Sequence, residues 1–126
     1  MRTILSLVLS LGVILTADFF LLSYLNASTE QLTAQLTGLE KIIEHNDWQA
    51  AKKDLNRWQD NWTKIQNSWT LFIDHQEIDN IELSLNRMQS YIHSQNEVLS
   101  LGELSALKYW IAHIPDKESV HWGNIF

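Results

Sequence analysis

The chain has 126 residues, 9 of them basic and 15 acidic, for a formal net charge of −6, with no Cys, one Pro and four Gly. The length fits one domain, or one domain with an anchor. Zero Cys excludes a disulfide scaffold, a thiolate metal site and a Cys nucleophile. The acidic balance speaks against nucleic acid, whose binding rests on phosphate neutralisation, and no Rossmann or P-loop fingerprint is present.

Thr3 to Leu25 reads TILSLVLSLGVILTADFFLLSYL, 23 residues with one charge. At about 1.5 Å per residue it reaches roughly 34 Å, against a hydrocarbon core of about 30 Å. A cleaved signal peptide would have a shorter apolar region and a small-x-small cleavage site. Leu25 before Ala27 and Leu15 before Ala17 spoil both candidate sites. The segment therefore predicts an uncleaved transmembrane helix over residues 3–25. Arg2 precedes it, and the next basic residue is Lys41. The positive-inside bias then puts residues 1–2 in the cytoplasm as a stub and residues 26–126 outside the cell membrane. Asp18 lies in the outer half of the span. A carboxylate at the centre of a bilayer costs about 2.5–3.5 kcal/mol on insertion scales. Asp18 either protonates or snorkels to the outer interface, or it makes a polar contact with a partner's membrane helix.

Beyond Asn26 only Gly38 and Gly102 interrupt the chain before Pro115. Scarce turn chemistry with abundant Leu, Gln, Glu, Lys and Ala argues for helices. The first, from about Thr29 to His45, carries Leu32, Leu36, Leu39 and Ile43 at helical spacing. Ser28 or Thr29 could cap it, or it continues straight from the span, since nothing between Leu25 and Leu32 forces a break. His45-Asn46-Asp47 supplies a turn and an N-cap. Trp48, Ala51, Leu55, Trp58, Trp62, Ile65, Trp69 and Phe72 then alternate spacings of three and four, as an a/d seam does. The stripe is a buried core between helices, or else an aromatic ligand groove; its regularity favours the core.

The frame then shifts to Ile78, Ile81, Leu85, Met88 and Ile92. A turn near Asn67-Ser68 would explain the shift, with a third helix from about Ser68 to Ser94. Asn96 caps a fourth helix carrying Leu99, Leu104, Leu107, Ile111 and Ile114, which Pro115 ends. The tail, with Trp122 and Phe126, is expected to pack back on the bundle. The fold class is thus all-α: an N-terminal transmembrane helix followed by an antiparallel bundle of three to four helices.

The densest polar run is Asp74-His75-Gln76-Glu77-Ile78-Asp79-Asn80-Ile81-Glu82. On a helix His75, Asp79 and Glu82 stand at i, i+4 and i+7, and a His with two carboxylates can bind a divalent metal. No ligand on a second helix and no H-E-x-x-H pairing accompanies them. The expectation is therefore no metal and no cofactor, with the run a polar strip bonded to neighbouring helices. His45, His93, His113 and His121 are scattered singly. No Ser sits in G-x-S-x-G, and a small bundle offers little concavity for paired carboxylates, so no catalytic residue is expected and the protein is not read as an enzyme.

One resemblance covers essentially the whole chain. It is carried by the N-terminal span, Asn46-Asp47-Trp48 with Ala51, and the run from Trp69 through Asp74-His75-Gln76-Glu77 to Glu82. Tyr91-Ile92, the stretch from Leu101 to Lys108 and His113-Ile114-Pro115 also fit. These resemble a family of small membrane-anchored proteins of Firmicutes, the domain of unknown function 4363. The resemblance implies an anchored helical layout and brings no activity, cofactor or catalytic residue. The resulting expectation is a single-pass extracytoplasmic module that serves as an interaction or adaptor part for another membrane protein. The alternative is a sensor-like module binding a ligand or metal in the bundle.

Overall fold

The structure, a computed structural model, describes the backbone of residues 1–123 and the side chains of residues 1–118. It holds four helices, α1 (Arg2–Glu44), α2 (Trp48–Trp69), α3 (His75–His93) and α4 (Glu97–Gly123), and no strand among the described residues. Successive helices reverse direction. α1 and α3 each pack against both α2 and α4, so the four close into an up-down-up-down bundle.

The bundle's first helix is the upper half of α1 itself. Ser28 and Thr29, candidate caps in the sequence, lie buried inside the helix instead. The Ser28 hydroxyl donates to the Tyr24 carbonyl one turn back, which lets a serine sit mid-helix without competing for the ladder. Leu25, Leu32, Leu36, Leu39 and Ile43 are completely buried. They face the seam of α2, where Ala51, Leu55, Trp58, Trp62 and Trp69 are buried as well. Trp48, Ile65 and Phe72 sit partly buried against the same core. The tryptophan stripe is core.

Two of the three connections share one design. At the end of α1 the Asn46 N–H bonds the Ile43 carbonyl and the Asp47 N–H bonds the Ile42 carbonyl, with Asn46 left-handed at φ 55°. This is a Schellman stop. Asp47, the residue after it, caps α2 by accepting from the Ala50 N–H at 3.2 Å. At the end of α3 the bonds Gln95 to Ile92 and Asn96 to Tyr91 repeat the pattern, with Gln95 at φ 56°. Asn96 then caps α4 through the Leu99 N–H at 2.9 Å. One polar residue thus closes one helix and opens the next, which makes both turns tight.

The α2–α3 connection departs from the sequence expectation. Asn67 and Ser68 do not turn the chain; α2 runs through them to Trp69. The break falls at residues 70–74, and α3 starts at His75, seven residues later than the predicted start at Ser68. Asp74 is the N-cap, accepting from the Gln76 N–H at 3.0 Å. The reason lies in the core, since Trp69 is completely buried and extends the seam one turn further.

Pro115 does not end α4 either; it lies inside the helix. Proline removes an N–H from the ladder and strains a helix interior. Here Ile114 and Pro115 are buried, and Lys117 beyond them pairs with Glu77 on α3. Packing thereby holds the helix through the proline. Leu99, expected in the core, is about half exposed, and Ser100 takes the buried position beside it. The side chains of His121, Trp122 and Phe126 lie outside the described residues.

Candidate functional site

The Asp74–Glu82 run divides by role once α3 is formed. Asp74 caps the helix. Glu77, a buried carboxylate, pairs with Lys117 of α4. Glu82 is half-buried and accepts the Trp62 Nε1–H at 2.7 Å. His75 and Asp79 are exposed. Glu82 is therefore committed to α2, while His75 and Asp79 stay at the surface. Among the described residues no three His, Asp or Glu side chains are grouped so as to hold a metal ion. The strip's structural part is the bonding of Glu77 and Glu82 to neighbouring helices.

Those bonds belong to a ring of polar ties that joins each adjacent pair of helices. α1 meets α2 where Trp58 Nε1–H donates to the Leu32 carbonyl at 3.1 Å, inside the core. α2 meets α3 through Trp62–Glu82 and through Gln89 Nε2 donating to Gln59 Oε1 at 2.7 Å. α3 meets α4 through the Ser84 hydroxyl, which donates to Glu103 Oε1 at 2.6 Å, and through Lys117–Glu77. α4 returns to α1 through Lys108–Glu40. The bonds are directional, so they fix the register that a greasy seam would leave loose. Trp58 and Trp62 stack at 6.0 Å, and Trp69 meets Trp62 edge-on at 5.6 Å. These contacts were not legible from spacing, because periodicity gives a residue's face and not its partner.

Lys117, half exposed on α4, sits against the Glu77 carboxylate. Its pKa is raised by the hydrogen bond to Glu77 first and by that carboxylate's charge second; desolvation works against the rise, and Asp74 and Glu118 add to it.

The grooves on the bundle's surface open to solvent. The groove between α1 and α2, lined by Gln35, Gly38, Ile42, Asp54, Arg57 and Trp58, holds about 300 Å³ and opens to solvent. The singly placed histidines make local contacts: His45 Nδ1 lies 2.7 Å from the Lys41 carbonyl, and the His113 ring stacks on Tyr109 at 5.6 Å.

The unusual surface is at the other end of the molecule. Ile4, Leu5, Leu7, Val8, Leu9, Leu11, Val13, Ile14, Leu15, Phe19 and Phe20 are all more than 49 % exposed. Consecutive positions cover every side of the helix, so no stripe faces the bundle. An 18-residue window of α1 has a mean hydropathy of 2.3 with none of it buried; the helix is long and apolar enough to cross a membrane. Asp18, within this segment, is half-buried.

The sequence profile of the domain of unknown function DUF4363 matches residues 19–125, and the chain belongs to that family. The match takes in the whole bundle and begins at Phe19, where the exposed apolar segment ends. No curated protein and no solved structure shows significant similarity to this chain.

Proposed function

Taking that membership as premise, we propose that the protein is a single-pass membrane-anchored module whose bundle stands outside the cytoplasm and binds another membrane protein. One observation carries the anchoring. Eleven large apolar side chains between Ile4 and Phe20 are exposed on all sides of one helix, a surface that water does not tolerate and lipid does. About 20 residues suffice to cross, and counted from Thr3 they end at Leu22. Arg2 before the segment, with no basic residue after it until Lys41, favours an inward N-terminus.

The role as an interaction part rests on what the bundle is made of. Its buried polar groups tie helix to helix, and its grooves are open. Such a body presents surfaces, which suits an interaction part. Asp18 is the contact proposed within the membrane, because a carboxylate in an apolar helix gains most from a polar group on a neighbouring one. Three experiments test the reading. A topology reporter fused after Phe126 should be active outside the cytoplasm; activity confined to the cytoplasm overturns the orientation. A photo-crosslinking residue at position 18 should capture a second membrane protein in native membranes. A metal-induced rise in melting temperature that is lost in His75→Ala would replace the adaptor role with a metal-binding sensor.

A further inference from the structure

The turn between α2 and α3 ends on an apolar tip. Leu71 is 84 % exposed, far more than a leucine needs in a tight turn, while Ile73 beside it is buried and Phe72 is half-buried. From Ile65 to Ile73 no side chain is charged. The height of this turn follows from one bond. The Trp58 indole is fixed to the Leu32 carbonyl, so α2 and α1 are level there. α2 descends eleven residues from Trp58 to Trp69, and α1 descends the same number from Leu32 to Leu21. With an equal rise per residue in two antiparallel neighbours, the turn lies beside residues 18–22 of α1. Phe19 and Phe20 are 69 % and 70 % exposed there, and Tyr24 is 41 % exposed one turn above. This is also the level at which a membrane crossing of about 20 residues begun at Thr3 ends.

We propose that the turn Thr70–Ile73 is a second membrane contact, inserting Leu71 into the interfacial zone of the leaflet through which α1 emerges. The proposal rests on the membrane-crossing reading above. Its occupant is lipid because the turn is continuous with the apolar surface of α1, and because the partly exposed Tyr24 one turn above is of the residue type that marks a membrane–water interface. The consequence is mechanical. A bundle held by one helix can tilt and rotate about it; one held at two points presents a fixed face to whatever it binds.

The absence of Cys makes the test direct. Single-cysteine variants Val13→Cys, Leu71→Cys and Gln49→Cys of the full chain are labelled with an environment-sensitive dye. They are then reconstituted in phosphatidylcholine–phosphatidylglycerol vesicles containing lipids with a nitroxide near the headgroup, which reports on position 71, or near the end of the acyl chain, which reports on position 13, with position 49 read against both. Quenching at positions 13 and 71 should exceed that at position 49, at the far end of the bundle, several-fold. Quenching at 13 with position 71 behaving like 49 overturns the insertion and leaves the crossing intact. No quenching at any position overturns the crossing and the insertion with it. A second readout avoids a dye at the tip. Thr70→Cys should react slowly with a membrane-impermeant maleimide, and several-fold faster once Leu71→Glu is added. Equal rates, or protection that requires another protein in the vesicle, would overturn lipid insertion.

Discussion

The two halves of α1 place leucine and isoleucine in opposite surroundings. Below Phe20 leucine, isoleucine and valine occupy every side of the helix and all are exposed. From Leu25 upward they recur at Leu25, Leu32, Leu36, Leu39 and Ile43, all completely buried, and at Ile42, half-buried against the same core. Between these, Gln31, Lys41 and Glu44 are exposed. Composition separates the halves, and the angular spread of the apolar side chains says what each half faces. A stripe calls for a protein neighbour, and a full collar suits the apolar medium that the proposed crossing supplies. One unbroken helix therefore carries the fold's boundary inside it.

The largest effect expected from breaking this contrast lies in the upper half and its partner seam. Trp58→Ala removes a completely buried side chain and the indole bond to Leu32. Large aromatic truncations of this kind cost about 3–5 kcal/mol. Denaturant melts of the full chain in detergent should register that loss, and a loss well under 1 kcal/mol would place the tryptophan stripe at the surface instead. Truncations in the collar, such as Val8→Ala, should leave the same melt unchanged.

The collar answers to a different measurement. Val13→Arg places a cation near the middle of the segment, at a cost to insertion of about 2.5–3.5 kcal/mol. The fraction of chain resisting alkaline extraction from membranes should fall, while the bundle's melt in detergent stays as in the native chain. A matched fall in both would show that the collar packs on protein.

Sequence periodicity made the upper half of the contrast legible. The α2 seam, the shifted α3 stripe and the caps Asp47 and Asn96 follow from spacing and side-chain chemistry alone. The failures have one physical source. Asn67-Ser68 and Pro115 carry strong local signals for ending a helix, and each is overruled by packing that lies far away in sequence. Trp69 is buried beyond the first, and the Lys117–Glu77 pair lies beyond the second. The Asp74–Glu82 strip bonds to neighbouring helices through Glu77 and Glu82, as expected of it. His75, Asp79 and Glu82 share a helical face by count, but Trp62, 20 residues back, claims Glu82. Local rules hold until a distant contact outweighs them, and such contacts concentrate at the foot of the bundle.

A smaller effect is expected at that foot. Asp74 caps α3 and is exposed, so Asp74→Ala loses one cap bond and no buried packing. Capping losses run about 0.5–2 kcal/mol, and the change should be independent of added Zn²⁺ or Mn²⁺. Asp74→Ser or Asp74→Asn, which keep an acceptor at the cap, should recover most of it. Destabilisation that appears only with metal present would return the strip to a binding role.

The smallest effect is the pH dependence of the Lys117–Glu77 pair. Lys117 has its pKa raised above the ordinary 10.5 in the folded chain, chiefly by the Glu77 hydrogen bond. The folded state therefore holds this proton more tightly than the unfolded state does. Stability from the pair is fully present below pH 10.5 and is lost as pH rises through the raised value. The Lys117 side chain is 51 % exposed, so solvent screens the pair and the contribution is slight. In Glu77→Gln the perturbing carboxylate is gone, so the difference in melting temperature between native and variant should narrow as pH rises above 10.5. A difference that stays constant across that range would mean the pair does not hold α4 past Pro115. The continuation of the helix toward α1 would then rest on the burial of Ile114 and Pro115 alone.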